Sequence, residues 1–263
     1  MVGKKTHRAL GMYFEVSRKL SLTLLILYLW HSEAPAQSTV EAREYEQCVD
    51  FAMSKPEVGF ERAIAWRDLG GGFAARHCVA VALFALSQFR EAALRLERLA
   101  KENISLDLRI SLLDQAGTVW LMGEEYERAN ATLTTGLELA PLNFDLLVDR
   151  SLVYAAAKNY WEALDDLNRA LDIDPENAEA LVFRANVYRY LDSLELAEDD
   201  VNRALELRSD HVAAYLERGN IRRLNSNKDD AREDWLEVIR LAPNSLAAEA
   251  ARHNLEKLDI NSK

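Results

Sequence analysis

Chemistry needs clustered groups, and few side chains here are spaced to cluster. Five histidines occur, His7, His31, His77, His211 and His253, with no metal-ligand spacing among them. His77-Cys78 has the residue types of a thiol nucleophile and its base. Neighbours on a helix point about 100° apart, however, so the two would not pair. Gly70-Gly71-Gly72 lacks the Lys-Ser/Thr that completes a phosphate-binding loop. The many carboxylates follow helix faces. No catalytic residue, metal site or cofactor is expected, so the chain reads as a non-enzyme. The two cysteines, Cys48 and Cys78, are read as a disulfide or as two buried thiols, and an oxidising compartment would favour the bond.

The polar residues that do recur form two ladders with a 34-residue step. Arg150, Arg184, Arg218 and Arg252 make the first, and Asp166, Asp200 and Asp234 accompany its first three rungs. Where the arginine is missing the aspartate is too: Ala116 goes with Thr132, and Val79 with Arg95. An unpaired buried charge is costly, so this covariation predicts structural ion pairs between helices rather than an anion-binding stripe. Arg252 lies in a cap with no second helix of its own and is expected to reach back to Asp234. By the same register Arg218 would meet Asp200, and Arg184 would meet Asp166. The second ladder is Asn186, Asn220 and Asn254, with Arg189, Arg223 and Lys257 three positions on and Tyr190 beside the first of these. Asparagine offers both a donor and an acceptor to a peptide backbone. A residue three positions on shares its helix face. These seven residues are the candidate ligand contacts, the other reading being a solvated polar face.

The elements that position the ladders show the same period. Ala129, Ala163, Ala197 and Ala231 stand 34 residues apart, within blocks 110–143, 144–177, 178–211 and 212–245. Self-similarity at this step signals stacked helical hairpins. Ile110–Asn143 supplies Leu113, Gly117, Trp120, Ala129, Leu133, Gly136 and Pro141 at positions 4, 8, 11, 20, 24, 27 and 32. Phe144–Asn177 supplies Leu147, Ser151, Tyr154, Ala163, Leu167, Ala170 and Pro175. The third block keeps Leu181, Ala185, Tyr188, Ala197, Val201 and Ala204, with Ser209 in place of proline. The fourth keeps Tyr215, Gly219, Ala231, Trp235 and Pro243, but has Arg222 and Val238 at positions 11 and 27. Small residues let two helices approach, and large ones fill the space beside them.

These blocks resemble the tetratricopeptide repeat, and the whole is similar to exported bacterial proteins of that family. The resemblance implies an all-α, right-handed solenoid of helical hairpins that binds another protein or a peptide. It places positions 2, 5, 9, 12 and 13 of each first helix on a concave groove. The Asn/Arg ladder would then make the C-terminal groove locally basic, suited to an acidic segment. The N-terminal groove, with Val81, Phe84, Leu121, Met122, Val148, Leu152, Ala155 and Ala156, reads as apolar: a docking patch or a surface buried by curvature. Residues 73–109 form a weaker block around Ala80, Ala92 and Leu96, and 37–72 a degenerate unit with helices expected at 41–53 and 57–68. Successive first helices are neighbours in such a stack, so a Cys48–Cys78 bond would staple the weakest unit to the array. Residues 246–263 read as a capping helix and tail, which solenoids need at their ends.

Residues 1–36 do not belong to this pattern. Lys4, Lys5, Arg8, Arg18 and Lys19 lead into the apolar run Leu20–Trp30, and Ala34-Pro35-Ala36 offers a cleavage site. That is the layout of a secretory signal peptide, with Met12 an alternative start. The run is shorter than the ~20 residues of a membrane anchor. Export to the periplasm or beyond is expected, with an uncleaved inner-membrane anchor as the alternative. The net charge of −11 deepens to −14 when the five basic and two acidic residues of 1–36 are removed. Such a protein is a poor general binder of nucleic acid or anionic lipid.

Overall fold

The structure, a computed structural model, describes residues 37–260. The leader expected over residues 1–36, with its cleavage after Ala36, lies outside the described residues. All thirteen elements among the described residues are α-helices, and they fall into two compact units divided between Val153 and Tyr154. No described helix is long and apolar enough to cross a membrane.

The first unit holds α1 (Gln37–Ser54), α2 (Pro56–Asp68), α3 (Gly72–Ala85), α4 (Phe89–Ala100), α5 (Leu106–Met122), α6 (Tyr126–Leu139) and most of α7 (Phe144–Ala156). Pro56 opens α2, where a missing N–H costs nothing. Gly70 and Gly72, at φ +91° and +58°, turn the chain from α2 into α3. The first helices α1 and α3 lie side by side, and the Cys48–Cys78 disulfide joins them at a Cα separation of 6.2 Å. The residues between Lys101 and Ile110 do more than extend a loop. Ser105 caps a helix starting at Leu106, which adds a turn to α5. Arg109 ties that turn back to the carbonyls of Ala100 and Glu102, at 2.9 and 3.1 Å.

The second unit holds α8 (Tyr160–Ile173), α9 (Ala178–Tyr190), α10 (Leu194–Leu207), α11 (Val212–Leu224), α12 (Lys228–Leu241) and α13 (Leu246–Ile260). Helix α13 has no second helix. It buries Ala248, Ala251 and Leu258 against Leu216, Trp235 and Val238, closing that core.

The five hairpins from α3 onward turn in the same way. Ser87, Glu124, Lys158, Asp192 and Ser226, position 15 of their blocks, all have φ between 59° and 65°. The next amide donates back to position 11: Gln88 to the Leu83 carbonyl at 2.8 Å, Glu125 to Trp120 at 3.0 Å and Asn227 to Arg222 at 2.8 Å. This left-handed exit satisfies carbonyls at the helix end. Its recurrence at Ser87 shows that the weaker 73–109 block folds as the others do. Asn143, Asn177 and Ser245, position 34, cap the next first helix through their side-chain oxygens at 2.9, 3.1 and 3.1 Å.

Packing explains the periodic small residues. Ala92, Ala129, Ala163, Ala197 and Ala231 are wholly buried. A Cβ on Gly117 would overlap Leu133 Cγ, and one on Gly219 would stand 2.5 Å from Trp235 Nε1. Position 8 is thus kept small by the large residue at position 24. The fourth block's departure at position 11 follows from the same volume. Trp235 fills the space between the helices, and Arg222 turns to Asp234 and Glu198, at 2.9 and 3.5 Å.

Candidate partner-binding surface

In the second unit the first helices α9, α11 and α13 lie side by side, and their Asn/Arg ladder converges on a carboxylate. Glu217, 1% exposed, is the centre. Its Oε1 accepts from Arg189 Nε at 2.5 Å and Asn186 Nδ2 at 3.3 Å. Its Oε2 accepts from Asn220 Nδ2 at 3.2 Å. Asn254 Nδ2 then donates to Asn220 Oδ1 at 2.9 Å, extending the chain of bonds to α13. A carboxylate this buried needs such donors, since unpaired it would be very costly. Four of the seven candidate contacts therefore support an internal network.

The other three face outward. Tyr190 is 45% exposed and stacks flat on Tyr160, with centroids 4.8 Å apart and planes 4° apart. The Arg189 guanidinium covers the Tyr190 ring at 4.5 Å. Arg223 and Lys257 are exposed at the equivalent position of α11 and α13. The second unit thus carries an aromatic shelf on α8 and α9 and one exposed cation on each of α11 and α13.

The arginine ladder is made of ion pairs in a register different from the expected one. Arg184 Nε and Nη2 each lie 2.8 Å from an oxygen of Asp200, and Nη1 donates to Asn168 Oδ1 at 3.0 Å. Arg218 grips Asp234 likewise, with Nη2 at 2.7 Å, and donates from Nη1 to Asn202 at 3.1 Å. Each fork therefore takes the aspartate of its own hairpin and an amide from the hairpin before. The expected pairs Arg184–Asp166 and Arg218–Asp200 are not the ones formed. Arg252, without a second helix of its own, donates to the Pro243 carbonyl at 2.6 Å rather than reaching Asp234. In the first unit Arg150 Nη1 donates to Thr134 Oγ1 at 3.0 Å, matching the amide contact of the later rungs. Asp166 accepts from Arg169 at 3.3 Å.

The first unit has its own polar features. Tyr45 Oη lies 2.8 Å from His77 Nδ1, and His77 Nε2 lies 2.9 Å from Gln115 Oε1, linking α1, α3 and α5. The Gln115 oxygen accepts, so Nε2 carries the proton and Nδ1 accepts from Tyr45. Burial holds the His77 pKa below its usual value. With both nitrogens engaged, this histidine ties helices together and has no lone pair for the neighbouring sulfur. A cleft of about 570 Å³ opens among α4, α5 and α6. Two of its ionisable lining residues are already committed: Glu97 accepts from Trp120 and Thr132, both at 2.8 Å, and Arg109 holds backbone carbonyls, while Lys101 is exposed. Of the apolar groove residues, Val81 and Leu121 are buried, while Phe84, Met122, Val148 and Leu152 are half-exposed. Among them stand three carboxylates that the sequence reading passed over, Asp114, Asp145 and Asp149. Among the described residues no group of His, Cys, Asp or Glu has the arrangement of a metal site.

No curated protein matches the chain. Solved structures share its fold at low identity. A thermophilic tetratricopeptide-repeat protein of Thermus thermophilus, TTC0263, is 21% identical, with a TM-score of 0.58 over 70% of this chain and 100% of its own. MamA, from residue 41 to its end, of Desulfovibrio magneticus RS-1 is 19% identical, with a TM-score of 0.54 over 73% of this chain and 97% of its own. Both support the all-α helical-hairpin solenoid as the fold class. The tetratricopeptide repeat profile matches residues 122–178 and 184–245. With the repeated turn, the small-against-large packing and these matches, residues 122–245 are built of tetratricopeptide repeats.

Proposed function

We propose that this protein is a non-catalytic interaction scaffold that holds an extended segment of a partner protein along α9, α11 and α13. The carrying observation is the pair of exposed cations, Arg223 and Lys257, at the same position of the two first helices that follow the Tyr160–Tyr190 shelf. Glu217 neutralises Arg189 and fixes the asparagines, so the outward charge comes from the two later rungs. On a chain of net charge −11, a local cationic strip selects an acidic segment. A bacterial envelope location is part of this reading, supported by the leader pattern and the Cys48–Cys78 bond. The test is affinity capture from an envelope fraction with mass spectrometry. The captured partner should be released as salt rises, because exposed charges are screened. Arg223→Ala with Lys257→Ala should abolish capture, and unchanged capture would overturn the reading.

A second reading is a structural subunit docked by an apolar surface. Trp161, Leu196 and Leu236, on α8, α10 and α12, are 68%, 50% and 52% exposed, which favours it. Capture through those residues would persist at high salt and fail on Trp161→Ala.

A further inference from the structure

The first unit carries a site of opposite sign. Asp114 and Thr118 are one turn apart on α5, and Asp145 and Asp149 are one turn apart on α7. The two pairs face each other: Thr118 Oγ1 donates to Asp149 Oδ2 at 2.6 Å, and Asp114 and Asp149 share a hydrogen bond. A hydrogen bond between two carboxyls requires one proton, which Asp114 carries. Its Oδ1 is buried with no hydrogen-bond partner. Asp145 stands exposed at the rim, with Asp149 and Asp114 partly buried behind it. Burial, then the charges of Asp149 and Asp145, push Asp114 well above the usual carboxylate range. Asp149 is pushed up to about 6, first by burial.

This arrangement is unfavourable when empty. Like charges one turn apart repel, and a buried unpaired oxygen has lost its water with nothing in return. We propose that the α5–α7 face is a binding site for a cationic side chain, a lysine or arginine presented by a partner protein. The incoming group replaces the shared proton and supplies several N–H donors, enough for the orphan Asp114 oxygen and for Asp149 and Asp145 together. The half-exposed Met122, Val148 and Leu152 of these helices suit apolar residues flanking the cation. The site lies on the other unit from Arg223 and Lys257 and stands without that reading.

The test uses the whole chain, isotope-labelled, titrated with acetyl-Leu-Ala-Lys-Ala-Leu-amide and followed by the amide resonances of Thr118 and Asp149. The peptide should shift both, and its norleucine counterpart should bind at least ~10-fold more weakly. Asp114→Asn and Asp149→Asn should each weaken the lysine peptide by ~10-fold or more, while Arg223→Ala leaves it unchanged. If either buried variant fails to fold, the exposed Asp145→Asn decides, with a loss of ~3-fold expected from one fewer carboxylate. Equal binding of the lysine and norleucine peptides, or aspartate variants that bind as well as the parent, would overturn the proposal. Spermidine that binds more tightly than the peptide and displaces it would assign the site to a free polyamine and overturn the partner-protein source.

Discussion

Arg184 and Asp200 meet across a single hairpin in a two-pronged pair, with both bonds 2.8 Å long. The aspartate side chain is 10% exposed and the arginine 22%. Removing one partner leaves a charge with little water to replace it. Asp200→Ala is therefore expected to destabilise the chain by about 2–3 kcal/mol in urea unfolding. That lies below the ~3–5 kcal/mol of a fully buried pair because Arg184 stays partly solvated. Replacing both partners, as Arg184→Met with Asp200→Leu, should cost far less.

This pair also shows what a periodic sequence conceals. Position 7 lies 16 residues before the aspartate of its own block and 18 after that of the preceding block, so spacing alone cannot choose between them. Arg252 pointed to the wrong register because it has no second helix, and so no aspartate 16 residues ahead of it. The hairpin core was legible because its constraint is volume, which appears directly as Ala, Gly, Leu or Trp. The polar sites were less so. Glu217 gathers Arg189, Asn186 and Asn220 yet occurs in only one block. Asp114, Asp145 and Asp149 occupy different positions of two blocks. Their meeting is set by the helix pairing, which no period records.

Gly219 lies against the Trp235 ring, with 2.5 Å left for a Cβ. The tryptophan is wholly buried and has no space to withdraw. Gly219→Ala should cost about 1–3 kcal/mol by overpacking, despite alanine's higher helix propensity. Trp235→Leu on that background should recover part of the loss, which thermal unfolding of the single and double variants would show.

The disulfide ties α1 to α3 across 30 residues. Loop-closure entropy for such a ring corresponds to about 3–4 kcal/mol. Reduction, or Cys48→Ser with Cys78→Ser, should accelerate amide exchange in α1 and α2 and leave α9–α13 unchanged. Intact mass should rise by two hydrogens on reduction.

His77 is held neutral inside the first unit, and its pKa is lowered by burial. The unfolded chain takes up a proton near pH ~6.5, which the folded chain resists. The stability this histidine supports is therefore complete above that pH and lost as pH falls below it. His77→Gln, which can still bond to Tyr45 and Gln115, should flatten this part of the stability–pH curve.

Asp149 responds in the opposite sense. Its folded pKa of about 6 lies above its unfolded value, so the folded chain binds more protons between pH ~4 and 6. Its contribution is least favourable above pH 6 and improves as acid protonates it. Its charge is opposed first by burial and then by Asp145 on α7, while Thr118 and the protonated Asp114 on α5 support it by hydrogen bonds. Asp149→Asn should be more stable than the parent at pH 7.5, and the difference should shrink toward pH 4.5. Denaturant titrations of both proteins at the two pH values check this. If the difference does not shrink on acidification, a buried charge facing Asp145 is not what Asp149 contributes.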